Sequence, residues 1–589
     1  MTKQIFKVVI WPFRVAMSLI ASLAPLFGMP RSFFMLCVGL VLPIIFIAVL
    51  AQLWLNGRGV LVAIGLLFVL AVLFDVLRHL IKPRIRKDTY GTAHFATPRE
   101  IKPLLTSPND PTRLLIGTYG LTRALGLTHR QQESHVLLCA PTGKGKTSSI
   151  ILPGLLREDG TRSLVINDIK GELVSKTLGD LQQRYACCLF SPTRATESHR
   201  YNPLGHVHGM EDAEDLARCI VENTGTSAEP FWDNAARLLL TATILHLRTS
   251  EPQAPLSRLA DLLCGMGLEE IVQEMMMSPS QLARDVAVSF MASLSNNPKL
   301  AGSILADMAS RLFMLRNPGI VAVTSKDEFH FDEMIEKPTA IYLCIPASDS
   351  QRLKWLSAAF FMQLMTCLTK RAEHSPNGRL PRPMAFYLDE FANIGVIPHF
   401  LQHISLVRSA GIAFLLATQN FGQLRTTYGN EGIETILANT TTHVVFSGCG
   451  QVETDYYSRR IGQTTVPSVS LSHEHSLDLD PKATQSTASR PLIYPDQLRT
   501  MPTNQLIVVA ENRPPIKVSS LPYFKQKELT KRVGIPPRLP HRLLDSQDCV
   551  VVAAEKDKNE QAPEKSTQQM QQENGQEQPK DTYDQFFQP

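Results

Sequence analysis

The sequence has no CxxC pair and no Cys/His cluster at zinc-binding spacing, although it holds ten cysteines. This excludes a zinc-finger or thioredoxin-like organisation. The cysteines are scattered, and several sit in apolar runs, such as Cys344 in "IYLCIP". Cys187 and Cys188 are adjacent, which would strain a bridge between them. The pattern predicts buried free thiols in a reducing compartment. An excess of one charge is also missing: 59 Lys and Arg against 54 Asp and Glu leave +5 on 589 residues. Bulk charge therefore does not mark a nucleic-acid binder, and any basic surface has to be local. No internal repeat is visible. What is present is 44% hydrophobic and 19% charged residues, an ordinary globular composition with a membrane contribution added. The length suggests about two to four domains.

The amino-terminal end is apolar. Phe33 to Leu55 contains no charge and is long enough to cross a bilayer as a helix. A second run begins at Val60 and extends to about Leu77, with only "NGRG", Asn56 to Gly59, between them. So short a link predicts a helical hairpin with both ends on one side. Lys3, Lys7, Arg14 and Arg31 precede the first span, and Arg78, Lys82, Arg84, Arg86 and Lys87 follow the second. The connection holds only Arg58, so both ends are expected to face the cytoplasm. The first run is too long for a signal peptide, and no small-residue cleavage site follows it closely. Ile5 to Phe27 is interrupted by Arg14 and reads as an interfacial helix, a third span being the alternative. Residues 1–87 are thus expected to be a membrane anchor.

From 88 onward the character is that of an α/β protein. "HVLLCA", "SLVIND", "AIYLCIP", "MAFYLDEF", "GIAFLLATQN" and "HVVFSG" are short, apolar and β-branched, as parallel strands buried on both faces are. Helical patterns lie between them and predict a doubly wound sheet. Residues 88–204 and 317–545 are assigned to this nucleotide-binding domain. The stretch 205–316 breaks the alternation and predicts an inserted all-helical domain. Its Met275-Met276-Met277 run reads either as core packing or as a soft binding surface. Residues 546–589 are predicted to be a disordered tail, rich in Gln, Glu and Lys from about Glu555. The tail ends in Tyr583, Phe586 and Phe587, which read either as a docking motif or as a frayed end.

The chemistry centres on "APTGKGKT", Ala140 to Thr147. The Walker A pattern G-x-x-x-x-G-K-[ST] is kept except for its first glycine, which is Ala140. Pro141, Thr142, Gly143, Lys144, Gly145, Lys146, Thr147 and Ser148 would surround the phosphates of ATP. Lys146 can reach the β- and γ-phosphates, and Thr147 can bind Mg²⁺. Ala is tolerated at 140 if its φ is negative. A helix is expected from Ser148 to Leu156. "PMAFYLDEF" supplies the acids on what is expected to be a neighbouring strand. Asp389 would hold the Mg²⁺ and Glu390 would polarise the attacking water. Thr418-Gln419-Asn420 end a further strand, where Gln419 can sense the γ-phosphate, unless the tripeptide merely caps a turn. Arg408 reads either as an arginine finger reaching a neighbouring subunit or as a surface arginine.

These motifs, with "NDIKGEL" (Asn167 to Leu173), "RYNPL" (Arg200 to Leu204), "PFWDNAARLLL" (Pro230 to Leu240), "FYLDEFANIG" (Phe386 to Gly395), the segment Arg408 to Gly429 and "ETILANT" (Glu434 to Thr440), resemble the type IV secretion coupling proteins. These are the TraG/TraD-type conjugation ATPases, related to FtsK and HerA. The resemblance runs from about Tyr90 to Phe524. It implies a RecA-like motor with an all-alpha domain, forming a hexamer around a channel with ATP at the subunit interfaces. It also implies a place at the inner-membrane entrance of a type IV secretion system. The expected partners are that system's inner-membrane components and a relaxase–DNA complex, effector proteins, or both. The alternatives are an FtsK/HerA-like DNA translocase and a substrate receptor with little ATPase activity.

Overall fold

The computed structural model describes residues 89–225, 229–296, 298–472, 482–510 and 512–540. The expected membrane hairpin (33–55 and 60–77) and the tail (546–589) lie outside the described residues. Among the described residues no helix is long and apolar enough to cross a membrane. The chain divides into two compact units, Met1–Gly91 with Thr465–Ser489, and Thr92–Thr464 with Arg490–Pro589.

The second unit is built on a twelve-stranded sheet. Its strands are β1 (Leu105–Thr106), β2 (Leu114–Tyr119), β3 (Arg123–Leu127), β4 (Val136–Cys139), β5 (Ser163–Asn167), β6 (Ala186–Phe190), β7 (Thr339–Leu343), β8 (Met384–Leu388), β9 (Ile412–Thr418) and β10 (Thr442–Phe446), followed after a two-stranded pair, β11 (Gln463–Ser472) and β12 (Lys482–Pro491), by β13 (Gln505–Val509) and β14 (Ile516–Ser519). The spatial order is β1-β3-β2-β14-β13-β10-β4-β9-β8-β5-β7-β6. From β10 to β6 every pairing is parallel. From β10 to β1 every pairing is antiparallel. All six strands expected from apolar runs are present, and they fall in the parallel half. One expectation needs correction. The acid-bearing strand β8 does not neighbour the P-loop strand β4, because β9 is paired between them. The carboxyl end of β9 therefore separates the phosphate loop from the acids.

Alternation along each strand divides the core. Val136 and Leu138 of β4 join Leu164, Ile166, Tyr387 and Val444 on one face. Leu137 and Cys139 join Val165, Phe386, Phe414 and Val445 on the other. On this second face the core is continuous with the helices that follow β6. Between β6 and β7 every regular element described is helical, from Pro203–His206 to Phe331–Glu336, somewhat beyond the expected 205–316. "RYNPL" makes the join. The Tyr201 ring lies 4.9 Å from that of Phe360 and 5.5 Å from that of Phe190. Its hydroxyl donates to Gln363 of the helix Lys354–Glu373. Asn202 accepts from the Leu204 N–H at 3.1 Å and donates to the Ala254 carbonyl at 2.8 Å. In the methionine run Met275 is core, whereas Met276 and Met277 are exposed. The described cysteines are free.

At the amino ends of the parallel strands sits a buried ionic knot. Arg162 donates through Nε to Glu158 Oε2 at 2.9 Å and through Nη2 to Gln132 Oε1 at 2.7 Å. Tyr387 donates to Glu158 Oε1 at 2.6 Å. Burial alone would push the Glu158 carboxyl up, but the Arg162 guanidinium, with His129 and the Tyr387 hydroxyl, more than offsets it and the net shift is downward. Removing one partner leaves an uncompensated buried charge. Arg162→Met is expected to cost about 3–5 kcal/mol in urea unfolding, and adding Glu158→Leu should restore a large part. An unchanged midpoint in the single variant would refute this.

Candidate functional site

The site forms at the carboxyl ends of β4, β9 and β8. β4 hands over to the phosphate loop at Ala140, whose N–H donates to the Thr418 carbonyl at 3.0 Å. Gly143 and Gly145 have φ of +76° and +86°, the left-handed region that makes glycine necessary here. Ala140 is buried and is not among the positive-φ residues, so the missing first glycine costs the loop nothing in backbone conformation. After Lys146 the chain enters a π turn, Thr147–Ile151, and continues as the α-helix Leu152–Arg157. A single π turn of this kind is frequent at functional sites. Ser148 donates to the Gly145 carbonyl at 3.2 Å. The Lys144 stem packs on Gly448, where an added Cβ would lie 2.9 Å from its Cε.

The lysine and the acids meet directly. Lys146 Nζ is ion-paired with Glu390 Oε1 and lies 3.4 Å from Asp389 Oδ1. Thr147 Oγ1 donates to Asp389 Oδ2 at 3.2 Å. All three charged side chains are buried. Asn167, at the end of β5, donates to the Asp389 carbonyl at 2.7 Å and fixes the end of β8. Burial holds the Asp389 carboxyl above its usual range, against the pull of Lys146. Glu390 Oε2 is buried without a hydrogen-bond partner, and Asp389 Oδ1 accepts no hydrogen bond and faces only the Lys146 charge. Buried carboxylate oxygens with spare acceptor capacity, together with the Thr147 hydroxyl, form a hard oxygen donor set, which fits Mg²⁺. Glu390 has φ 51° and ψ 55°, a left-handed conformation uncommon for a residue with a Cβ.

Gln419 lies against the loop, its Oε1 accepting from Thr142 Oγ1 at 3.1 Å. Asn420 is the cap: its Oδ1 accepts from the Gln423 N–H at 2.9 Å and starts the helix Phe421–Asn439. The tripeptide therefore divides the two readings, Gln419 reaching the phosphate loop and Asn420 capping. Arg408 is not brought to this chain's own site. It is exposed in the last turn of the helix Phe400–Ala410, which leads into the amino end of β9, opposite the phosphate loop. Two contributors escaped sequence reasoning. Glu453 is buried and accepts from the Phe421 N–H at 2.7 Å, anchoring the turn that carries Gln419. Asn223 grips the segment after Glu390. Neither lies in a local motif.

The fold agrees with what the chain is similar to. A family described as Type IV secretory system Conjugative DNA transfer matches residues 91–562. VirD4 of Rhizobium radiobacter is 26% identical over 416 residues, covering 68% of this chain and 58% of that protein. VirD4 of Rhizobium rhizogenes is 25% identical over 525 residues, covering 84% and 73%. TraG of Escherichia coli is 25% identical over 517 residues, covering 78% and 79%. Among solved structures, the bacterial conjugative coupling protein TrwBdeltaN70 in its unbound form superposes with a TM-score of 0.55 at 19% identity, over 74% of this chain and 95% of that one. The plasmid coupling protein TrwB in complex with ADP and Mg²⁺ gives 0.55 at 18%, over 75% and 96%. The RecA-like α/β fold is thus shared with TrwB, and with its sheet, phosphate loop and acid pair inside the matched span, the chain belongs to the family of type IV secretory system conjugative DNA transfer proteins.

Proposed function

We propose that the protein is an inner-membrane ATPase that recruits substrate, a relaxase–DNA complex, effector proteins, or both, to a type IV secretion system and couples ATP hydrolysis to its transfer. The observation that carries this is the contact of Lys146 with Glu390 and Asp389 past the end of β9, the strand between β4 and β8. In that arrangement Lys146 is held by the two acids until phosphate competes for it. On ATP binding Lys146 turns to the β- and γ-phosphates, and the N–H groups from Gly143 to Ser148 surround them. Thr147 and Asp389 would hold Mg²⁺, which supplies positive charge across the phosphate oxygens. Glu390, released from its ion pair, accepts a proton from the attacking water, and the Gln419 amide orients that water. The complex of TrwB with ADP and Mg²⁺ supports this assignment by shared fold.

The wider reading follows from family membership and the sequence. The anchor at 1–87 ties the motor to the membrane, residues 205–316 act as an all-alpha domain facing cargo, and six copies form a ring. In such a ring Arg408 of one copy serves the site of the next. The test is ATP hydrolysis by the full chain, with and without single- and double-stranded DNA, across a salt series. Turnover that rises with DNA and loses that stimulation as salt increases is the expected result. Turnover indifferent to DNA assigns protein cargo instead. A folded chain with no turnover under any condition overturns the ATPase reading in favour of a substrate receptor.

A further inference from the structure

The sequence after the acids, "FANIG", closes on a glycine, and the structure shows why. Phe391–Ile394 form one 3-10 turn, with the Asn393 N–H donating to the Glu390 carbonyl at 2.9 Å. Gly395 then has φ +102°. A Cβ there would lie 2.2 Å from Asn223 Oδ1 and 2.8 Å from Lys354 Cγ. Asn223 belongs to the last turn of the helix Met210–Thr224, the first long helix after β6. Its amide meets the next residue of the loop in both directions. Oδ1 accepts from the Val396 N–H at 2.7 Å, and Nδ2 donates to the Val396 carbonyl at 2.9 Å. Nδ2 also donates to the Cys219 carbonyl of its own helix at 2.9 Å, so the amide can face only one way. The same helix grips the loop again at Asp215, 2.8 Å from His399 Nε2.

We infer that Asn223 is a positioning residue for Glu390, a role that rests on the ATPase reading above. A left-handed glutamate persists only where its surroundings over-determine it. The turn that follows Glu390 is fixed from one side by Tyr428, whose ring stacks on Phe391 at 5.5 Å and whose hydroxyl donates to the Gly395 carbonyl at 3.1 Å. It is fixed from the other side by Asn223. Tyr428 belongs to the helix after β9, within the nucleotide-binding sheet's own crossovers. Asn223 belongs to the helical stretch between β6 and β7. The carboxylate that activates water is thereby held through Val396 by the part of the chain assigned to cargo. Any nucleotide-driven shift of Glu390 pulls on the helix Met210–Thr224, and any cargo-driven shift of that helix pulls on Glu390.

The test uses the full chain with Asn223→Ala, Gly395→Ala and the double variant. Nucleotide stoichiometry and affinity are read with a fluorescent ATP analogue, and kcat and KM with ATP. Expected is a fall in kcat of about 10–100-fold in each single variant, with KM and analogue affinity within about twofold of wild type. The double variant should fall no further than the worse single one. Asn223→Asp keeps the acceptor for Val396 N–H but loses the donor, and should lie between. A merely structural role would lower stoichiometry and leave kcat per bound nucleotide unchanged, and that result overturns the inference. Should the variants fail to bind nucleotide at all, hydrogen exchange on the wild-type chain decides. On adding the analogue, segments Cys219 to Thr224 and Glu390 to Val396 should change protection together. A response confined to Glu390 to Val396 overturns the coupling. Absence of turnover in the wild-type chain itself would defeat the ATPase reading, whereas the exchange experiment would still report on the clamp.

Discussion

Replacing Glu390 with Gln should lower ATP turnover by about 10²–10⁴-fold while leaving nucleotide bound. The substitution keeps the shape of a buried side chain and removes its ability to take a proton. In the structure Glu390 is also the ion-pair partner of Lys146. ATP must therefore displace that pair before Lys146 can serve phosphate. A neutral amide in place of the carboxylate would offer weaker competition, so the variant should bind ATP as tightly as wild type or more tightly. The combination of lost turnover with retained or improved affinity separates a general base from a structural acid. Asp389→Asn supplies the contrast. It removes the carboxylate beside Thr147, so its defect should be relieved in part by raising Mg²⁺, whereas that of Glu390→Gln should not. Direct measurement of single-turnover hydrolysis and of analogue affinity decides it. A Glu390→Gln chain that hydrolyses within about tenfold of wild type would show that another group activates the water.

What could be read from sequence followed from how locally each feature is encoded. β4, β5, β7, β8, β9 and β10 are buried on both faces and write themselves as continuous apolar runs. The antiparallel half was not legible. β2 carries Gly117 and β3 carries Gly126 within strands otherwise of mixed burial, and β14 alternates with an exposed Lys517. Such strands are stabilised by pairing, which a local pattern does not reveal. The phosphate loop and the two acids were legible because their chemistry needs fixed spacings. The insertion of β9 between β4 and β8 was not, since strand order is a property of the whole chain. The Asn223 contact was beyond reach for the same reason: it joins positions 173 residues apart through a single amide. Arg408 reads either as an arginine finger or as a surface arginine, and the structure puts it exposed at the amino end of β9, away from this chain's own phosphate loop.

Lys146→Ala should abolish turnover, by about 10³-fold or more, and should also destabilise the nucleotide-free chain. Both effects come from one side chain used in two states. With ATP bound, Lys146 is the positive charge at the β- and γ-phosphates. In the structure it is the cation between two buried carboxylates. Removing it strands Asp389 and Glu390 together in a buried site, at a cost of about 3–5 kcal/mol in urea unfolding. Adding Glu390→Gln to Lys146→Ala removes one of the two stranded charges. The double variant should therefore regain much of the lost stability and none of the lost activity. Recovery of stability without turnover would separate the resting pair from the catalytic role. If Lys146→Ala alone unfolds at the wild-type midpoint, the resting ion pair contributes nothing to the nucleotide-free fold. In that case ATP does not have to break it, and the affinity gain expected of Glu390→Gln should vanish as well.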